Sequence, residues 1–169
     1  MDGGAYVMKN LNVSFGSEPV LREIKEKYAS RKMTLLSNSA KETSFQLVDF
    51  SDQKNVFYSP NRYRVLFESP FLNMGDIFIY DFFDLAGDSL SAFDEKVRHW
   101  SGINADSSFL QSVLLLSPLD GKPHNRAVLT IWSTNKSDQV TLDTPHDLKK
   151  TLEPYVNHNY FRTTYKVLS

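Results

Sequence analysis

The chain has 169 residues, with 19 lysines and arginines, 20 aspartates and glutamates, four histidines and no cysteine. This length suits one compact domain or two small halves with a shared core, and a hydrophobic share of 41% can build that core. A net charge of −1 argues against a broad basic surface for nucleic acid, and the lack of cysteine excludes disulfides, thiolate catalysis and cysteine-ligated metal centres.

The sequence shows no sign of export or of a membrane span. No apolar run approaches the roughly 18 residues that a membrane-spanning helix needs. The N-terminus, Met1-Asp2-Gly3-Gly4, has neither the basic nor the apolar region of a secretory signal. We therefore expect a cytoplasmic protein with no nucleic-acid partner.

The first half of the chain predicts short strands and one helix. Alternating apolar residues indicate a strand over residues 5–15, irregular near Lys9. Apolar residues at helical spacing predict an amphipathic helix over 20–28, with Ser17 as N-cap and Pro19 in its first turn. Further strands are expected at 34–37, 44–50, 55–58 and 63–67.

A second series of elements begins near Gly75. Residues 77–85 (IFIYDFFDL) predict a strand rich in β-branched and aromatic residues, and 89–100 predict a helix that ends at Gly102. The remaining elements are two apolar strands joined by a hairpin with an Asp-Gly turn, a short helix and a closing strand, at 109–116, 127–132, 145–152 and 160–168.

The order of these elements predicts the fold. The first half reads β-α-β-β and the second β-α-β-β-α-β, and both begin with a strand, a Gly-containing turn and a capped helix. These are parts of the ferredoxin-like unit. We therefore predict an α+β protein of two fused ferredoxin-like halves, 1–70 and 75–169, whose sheets bury their open faces on each other with the helices outside. The predicted core includes Leu21, Ile24, Phe93, Val97, Val113, Leu115, Val128 and Trp132.

Few residues indicate chemistry directly. The sequence has no nucleotide-binding, nucleophile-elbow or zinc-protease motif, and no two histidines stand at metal-ligand spacing, so no metal site is predicted. Asp81 interrupts an apolar strand: it either faces inward, where it needs a partner, or forms the polar side of an alternating strand. Trp132 at a strand end is expected either to pack in the core or to wall a pocket.

Four segments together resemble a known family. They are VSFGSEPVLREIKEKY (13–28), YSPNRYRVLFE (58–68), LLLSPLDGKPHNRAVLTIW (114–132) and YFRTTYKVL (160–168). From about residue 10 onward the chain resembles the two-part branch of the antibiotic-biosynthesis-monooxygenase superfamily, which includes bacillar haem-degrading monooxygenases and the staphylococcal signal-transduction protein TRAP. The resemblance implies a C-terminal monooxygenase-like half with an N-terminal half packed on it. Because single-domain relatives form dimeric α+β barrels, the fused chain is expected to imitate that dimer, as a monomer or a weak homodimer.

The resemblance also implies a set of site positions. Haem-degrading members use an Asn on the first strand of the catalytic half, a Trp after the hairpin, and a His on the last helix that binds the iron. In this chain those positions hold, in the same order, Asp81 (or Phe82), Thr141, and Thr151 or Leu152. His146, about one helical turn earlier, is the nearby substitute for the iron ligand. We expect haem to bind weakly, or not through the family's ligand, since a hydroxyl or methyl is not a strong axial donor.

Two functions remain open at this point. The first is a monooxygenase acting on haem or another flat aromatic molecule, with Asp81 as proton acceptor. Its ligand-binding residues would be Phe83, Trp132, Thr141, His146 and Thr151. The second is a binding or regulatory module that keeps the fold without the catalytic residues. Haem is the only cofactor that the resemblance suggests.

Overall fold

The computed structural model describes residues 8–70, 73–133 and 143–168, with the side chains of 143–146 outside the description. The strands and α-helices of the described chain follow one another as β1 (Asn10–Gly16), α1 (Glu18–Lys27), β2 (Met33–Asn38), β3 (Phe45–Asp49), β4 (Asn61–Glu68), β5 (Ile77–Asp84), α2 (Leu90–Ile103), β6 (Leu110–Pro118), β7 (Asn125–Trp132), α3 (Asp143–Thr151) and β8 (Phe161–Val167). Short 3₁₀ turns cover Gly87–Ser89 and Glu153–Tyr155.

The strands form one closed antiparallel barrel in the order β1-β3-β2-β8-β5-β7-β6-β4, with β4 paired to β1. Strands β1 to β4 alone have the order β4-β1-β3-β2, and strands β5 to β8 have the matching order β8-β5-β7-β6. The pairs β2–β8 and β4–β6 join the two series. This arrangement confirms the predicted α+β barrel. The two sheets are joined at their edges, so the backbone donors and acceptors that an unpaired edge would leave unsatisfied are paired. The division into halves at residues 70–75 stays a prediction.

Apolar side chains alternate between the two faces of the barrel wall and build three packed regions. The interior is filled by a cluster that draws on both series of strands and includes Leu11, Val48, Phe78, Leu114 and Ile131. A second cluster, the outer core, lies between the sheet and helices α2 and α3. A third lies beneath α1.

The predicted core residues are confirmed as buried, with one exception. Ile24 on α1 is only partly buried against the third cluster. The buried members are Leu21, Phe93, Val97, Val113, Leu115, Val128 and Trp132. The helical and strand periodicities were therefore sufficient to locate the buried face of each element.

Two local predictions were wrong. Residues 55–58 are not a strand, because the Asn55 side chain bonds the backbone of Phe57 as both donor and acceptor and so replaces a strand ladder. Helix α2 does not end at Gly102 but continues to Ile103, and the Asn104 side-chain amide donates to the Trp100 carbonyl at 2.9 Å. The predicted first strand begins at Asn10, and residues 1–7 lie outside the described chain.

Glycine is required at two positions of the second series. Gly121 has a φ of 109° in the β6–β7 hairpin, a conformation that side chains with a Cβ rarely adopt. A Cβ at Gly75 would lie 2.1 Å from the Trp132 carbonyl oxygen, so only glycine lets the chain approach the end of β7 before entering β5.

The helices cover the outside of the barrel. Helix α1 begins after Ser17 with Pro19 in its first turn, as predicted, although the Ser17 side chain makes no capping hydrogen bond. Helix α2 buries Phe93, Val97 and Trp100. Among the residues described, no helix combines the length and apolar character needed to cross a membrane.

Phe93 is the test of the outer core. Its side chain is fully buried, with its ring centroid 4.8 Å from that of Phe83 and 5.2 Å from that of Tyr155. We expect Phe93→Ala to lower the free energy of unfolding by about 3–5 kcal/mol in urea denaturation, because it removes a packed ring and leaves a cavity. Tyr58→Ala is the control, since Tyr58 is fully exposed. A cost below about 1 kcal/mol for Phe93→Ala would contradict this packing.

The barrel interior predicts an unusual alkaline titration. Burial, with a smaller contribution from Tyr165, raises the pKa of Tyr63 to about 12, and burial raises the pKa of Tyr80 well above its usual value. The unfolded chain releases these protons near the ordinary value of 10.0, so the stabilisation is intact below that pH and falls as pH rises toward 12. Tyrosinate absorbance should show Tyr63 and Tyr80 ionising late, together with unfolding. Ionisation of all 8 tyrosines near the ordinary pKa in a folded protein would contradict the burial of Tyr63 and Tyr80.

Candidate functional site

The outer face of β5 and β7, beneath α2 and α3, carries three of the predicted site residues. Asp81 and Phe83 lie on this face of β5, and Trp132 lies on the same face of β7. Trp132 is paired with Ile77, four positions along the strand from Asp81. At the usual rise per residue this separates the two side chains by about 13 Å.

Asp81 pairs with Arg162 on the neighbouring strand. Arg162 of β8 stands directly opposite it in the register. The Arg162 Nε donates to Asp81 Oδ1 at 2.7 Å and Nη2 donates to Oδ2 at 3.2 Å, while the Tyr160 hydroxyl also donates to Oδ1. Asp81 itself is 0% exposed. We call these three residues the Asp81 cluster; they correspond to the first alternative, a buried carboxylate that needs a partner.

The electrostatics of the Asp81 cluster keep the Tyr160 hydroxyl protonated. Burial, and then the hydrogen bond to Asp81, raise the pKa of Tyr160, so its hydroxyl remains a donor across the physiological range. The Arg162 guanidinium supplies a charge-assisted, two-point contact to the carboxylate. The Asp81 oxygens are therefore occupied by protein donors.

The side chains around the Asp81 cluster are closely packed. Phe83 is buried, and its ring centroid lies 4.8 Å from that of Phe93 and 5.1 Å from that of Tyr160. Trp132 is fully buried and donates its indole N–H to the Thr130 hydroxyl at 2.8 Å. Trp132 is thus placed as core packing, the first of its two alternatives.

Helix α3 closes the outer core from above. Leu148 of α3 and Leu152, which directly follows α3, are buried in the outer core. The indole N–H of Trp100 on α2 donates to the Asp147 carboxylate on α3 at 3.0 Å, which ties the two helices together. This hydrogen bond spans elements far apart in sequence, so no sequence pattern indicated it.

The remaining predicted site residues are only partly accounted for. Thr141 lies outside the described residues, and His146 belongs to α3 but its side chain is not among those described. Thr151 is the last residue of α3 and is half-buried. These site assignments stay predictions.

No described side chain on this face is a strong axial donor for haem iron. At the positions where the resemblance implies the axial ligand, Thr151 has a hydroxyl and Leu152 a buried methyl. The histidines with described side chains, at positions 99, 124 and 158, are exposed on the surface. Within the described part of the chain, no group of three or more His, Asp or Glu side chains could hold a metal ion.

A cavity at one end of the barrel was not predicted. It has a volume of about 280 Å³ and is lined by the inward-facing ends of the strands. We call its lining the barrel mouth, defined by Phe15, Gln46, Tyr63, Tyr80, Phe161 and Tyr165. A neighbouring cavity of about 370 Å³ shares Tyr63, Phe82 and Phe161 with it. A further hollow of about 650 Å³ lies between the end of α2 and β6, lined by a mixture of apolar, hydroxyl and amide side chains.

Aromatic rings lead from the barrel mouth into the interior. The Phe161 and Phe82 rings stack with centroids 4.5 Å apart, and Tyr80 continues the stack beyond Phe82 at 5.8 Å. The Tyr80 hydroxyl donates to Gln46 Oε1 at 2.7 Å. The available sequence signal was the run of alternating apolar residues that ends on a large aromatic at both Phe15 and Phe161, which looks the same as ordinary core.

Comparison with known proteins relates the chain to others by structure. No protein-family model and no curated protein sequence matches it. Solved structures do match, at low sequence identity.

One match is an uncharacterized ferredoxin-fold protein related to antibiotic biosynthesis monooxygenases from Listeria monocytogenes, with a TM-score of 0.74 and 18% identity, covering 97% of this chain and 96% of that one. A major regulator of staphylococcal pathogenesis has a TM-score of 0.72 and 20% identity, over 95% and 100% of the two chains. LmHde, a heme-degrading enzyme from Listeria monocytogenes, has a TM-score of 0.70 and 19% identity, over 94% and 99%. Over nearly its whole length, this chain therefore has the fold of the ferredoxin-like proteins related to antibiotic biosynthesis monooxygenases.

Proposed function

We propose that this chain is a non-enzymatic binding or regulatory module on the monooxygenase-related fold. The Asp81 cluster carries the proposal, because the carboxylate in question is fully buried and accepts hydrogen bonds from both Arg162 and Tyr160. A general base must reach the proton that it removes. Asp81 is 0% exposed, and both of its oxygens face protein donors, so in this arrangement it does not reach a substrate.

The packing of the outer core supports the same proposal. Trp132 and Leu152 are fully buried, and the Trp100–Asp147 hydrogen bond holds α3 against α2. A flat ligand between the sheet and these helices would have to displace buried rings and leucines. Such displacement costs several kcal/mol for each large side chain that loses its contacts.

The structural neighbours are compatible with either function. Their descriptions include a heme-degrading enzyme and a regulator of pathogenesis, so one fold carries both kinds of protein. Function must therefore be argued from the site. A monooxygenase acting on haem or another flat aromatic molecule would require Asp81 to give up Arg162 and the outer core to open.

A haemin titration distinguishes the two functions. We expect a broad, weak change in the Soret band, and no faster bleaching after addition of ascorbate than with protein-free haemin, because the described side chains supply no axial imidazole on the outer core. His146→Ala and the exposed His99→Ala form a matched pair. A sharp Soret shift that His146→Ala abolishes and His99→Ala preserves, followed by ascorbate-dependent bleaching, would establish the monooxygenase instead.

The structural role of Asp81 has its own test. Asp81→Asn removes the charge that pairs with Arg162, whose side chain is only 21% exposed, and we expect a loss of about 3 kcal/mol in the free energy of unfolding. Asp120→Asn is the matched control, since its pair with Arg62 is exposed on both sides and should leave the urea midpoint nearly unchanged. Equal stability of Asp81→Asn and the wild type would show that the Asp81 carboxylate does not stabilise the fold.

A further inference from the structure

We propose that the barrel mouth binds an uncharged aromatic molecule of one or two fused rings that carries a hydroxyl group. This inference rests on the proposed function of a binding module and places the binding site inside the barrel, away from the outer core. Phe15 and Phe161 stand at inward-facing positions of β1 and β8, at the same end of the barrel. Val13 on β1 and Tyr165 on β8, which face the same way but lie deeper in the barrel, are buried.

The rim of the barrel mouth exposes aromatic surface. Phe15 is 50% exposed and Phe161 is 55% exposed, although both occupy positions that continue the interior face. Burying the remaining apolar area of a Phe side chain is favourable at about 25 cal/mol per Å². A ligand that covers both rings would gain this term without any rearrangement of the barrel.

The shape of the wall favours a flat ligand. The Phe82–Phe161 stack has an interplanar angle of 21°, and the Tyr80–Phe82 pair has one of 8°. The three rings therefore lie nearly parallel along one side of the cavity of about 280 Å³, and Phe161, at the outer end of the stack, is 55% exposed. An aromatic ring gains more from stacking on an exposed ring than an aliphatic group of equal area does.

The cavity of about 280 Å³ is polar but uncharged. Among the residues that the structure describes, no charged side chain lines the cavity of about 280 Å³. No hydrogen bond joins the Tyr63 or Tyr165 hydroxyl to another residue of the described chain, and the raised pKa of Tyr63 keeps its hydroxyl neutral. An ionic ligand would lose its hydration here without gaining a counter-charge. A ligand hydroxyl could instead bond these two tyrosines.

The neighbouring cavity adds one more acceptor. Asn125 lines it together with the charged residues Asp84, Lys122 and Arg126. The Asn125 Oδ1 is buried and accepts no hydrogen bond from any described residue. A buried acceptor without a donor is costly, so a modest rotation of the amide toward a ligand hydroxyl would be favourable. The two cavities, of about 280 and 370 Å³, are suited in size to a one- or two-ring molecule.

β-Naphthol is a suitable probe, because it is flat, neutral at pH 7 and fluorescent. We expect saturable one-to-one binding to the full chain in a fluorescence titration. Phe161→Ala should weaken the affinity about fivefold, the size expected for losing one aromatic contact, and Tyr165→Phe should weaken it by a similar factor. Tyr58→Ala is the matched control, an exposed aromatic outside both cavities, and should bind as the wild type does.

Three results would overturn this site: no saturable binding, equal affinity in the wild type and Phe161→Ala, or equal weakening by Phe161→Ala and Tyr58→Ala. Circular dichroism shows whether each variant is folded. We expect Phe161→Ala to fold, because the Phe161 ring is half-exposed. Failure here leaves the proposed function to the haemin titration. Haemin bleaching that depends on His146 would contradict the proposed function. The barrel-mouth site would still be tested by its own variants.

Discussion

Strand β8 holds the barrel closed, because it pairs with β5 on one side and with β2 on the other. The Asp81 cluster joins β5 to β8, within the second series of strands, through an ion pair whose carboxylate is buried. Removing one partner of a buried pair is costly, since it leaves an unpaired charge in a poorly solvated place. Asp81 thus holds β8 against β5, and β8 in turn pairs with β2 of the first series.

The two faces of the barrel wall consequently differ. On the outer face, the Asp81 cluster, the buried Trp132 and the Trp100–Asp147 hydrogen bond produce a continuous core beneath α2 and α3. On the inner face, the strands end in half-exposed Phe15 and Phe161 around a cavity. Ligand binding is therefore expected where the packing is incomplete, which is the inner face.

The fold was largely predictable because each strand and helix carries a local period. The repeated β-α-β-β order led to the ferredoxin-like halves, and the family resemblance was confirmed at the level of fold. Residues 55–58 were mispredicted, since a single Asn55 side chain satisfies the backbone locally. The site was less predictable: the partner of Asp81 is 81 residues away, and Phe161 at the rim has the same local pattern as a core residue.

The most direct test is an NMR titration of isotopically labelled protein with β-naphthol and, separately, with haemin. The two indole N–H signals, from Trp100 and Trp132, report on the outer core, and the amides of Phe15 and Phe161 report on the barrel mouth. We expect β-naphthol to shift the Phe15 and Phe161 signals while both ligands leave the indole signals in place. A shift of the Trp132 and Trp100 indole signals on adding haemin, with the barrel mouth unchanged, would contradict a closed outer core and an open inner site.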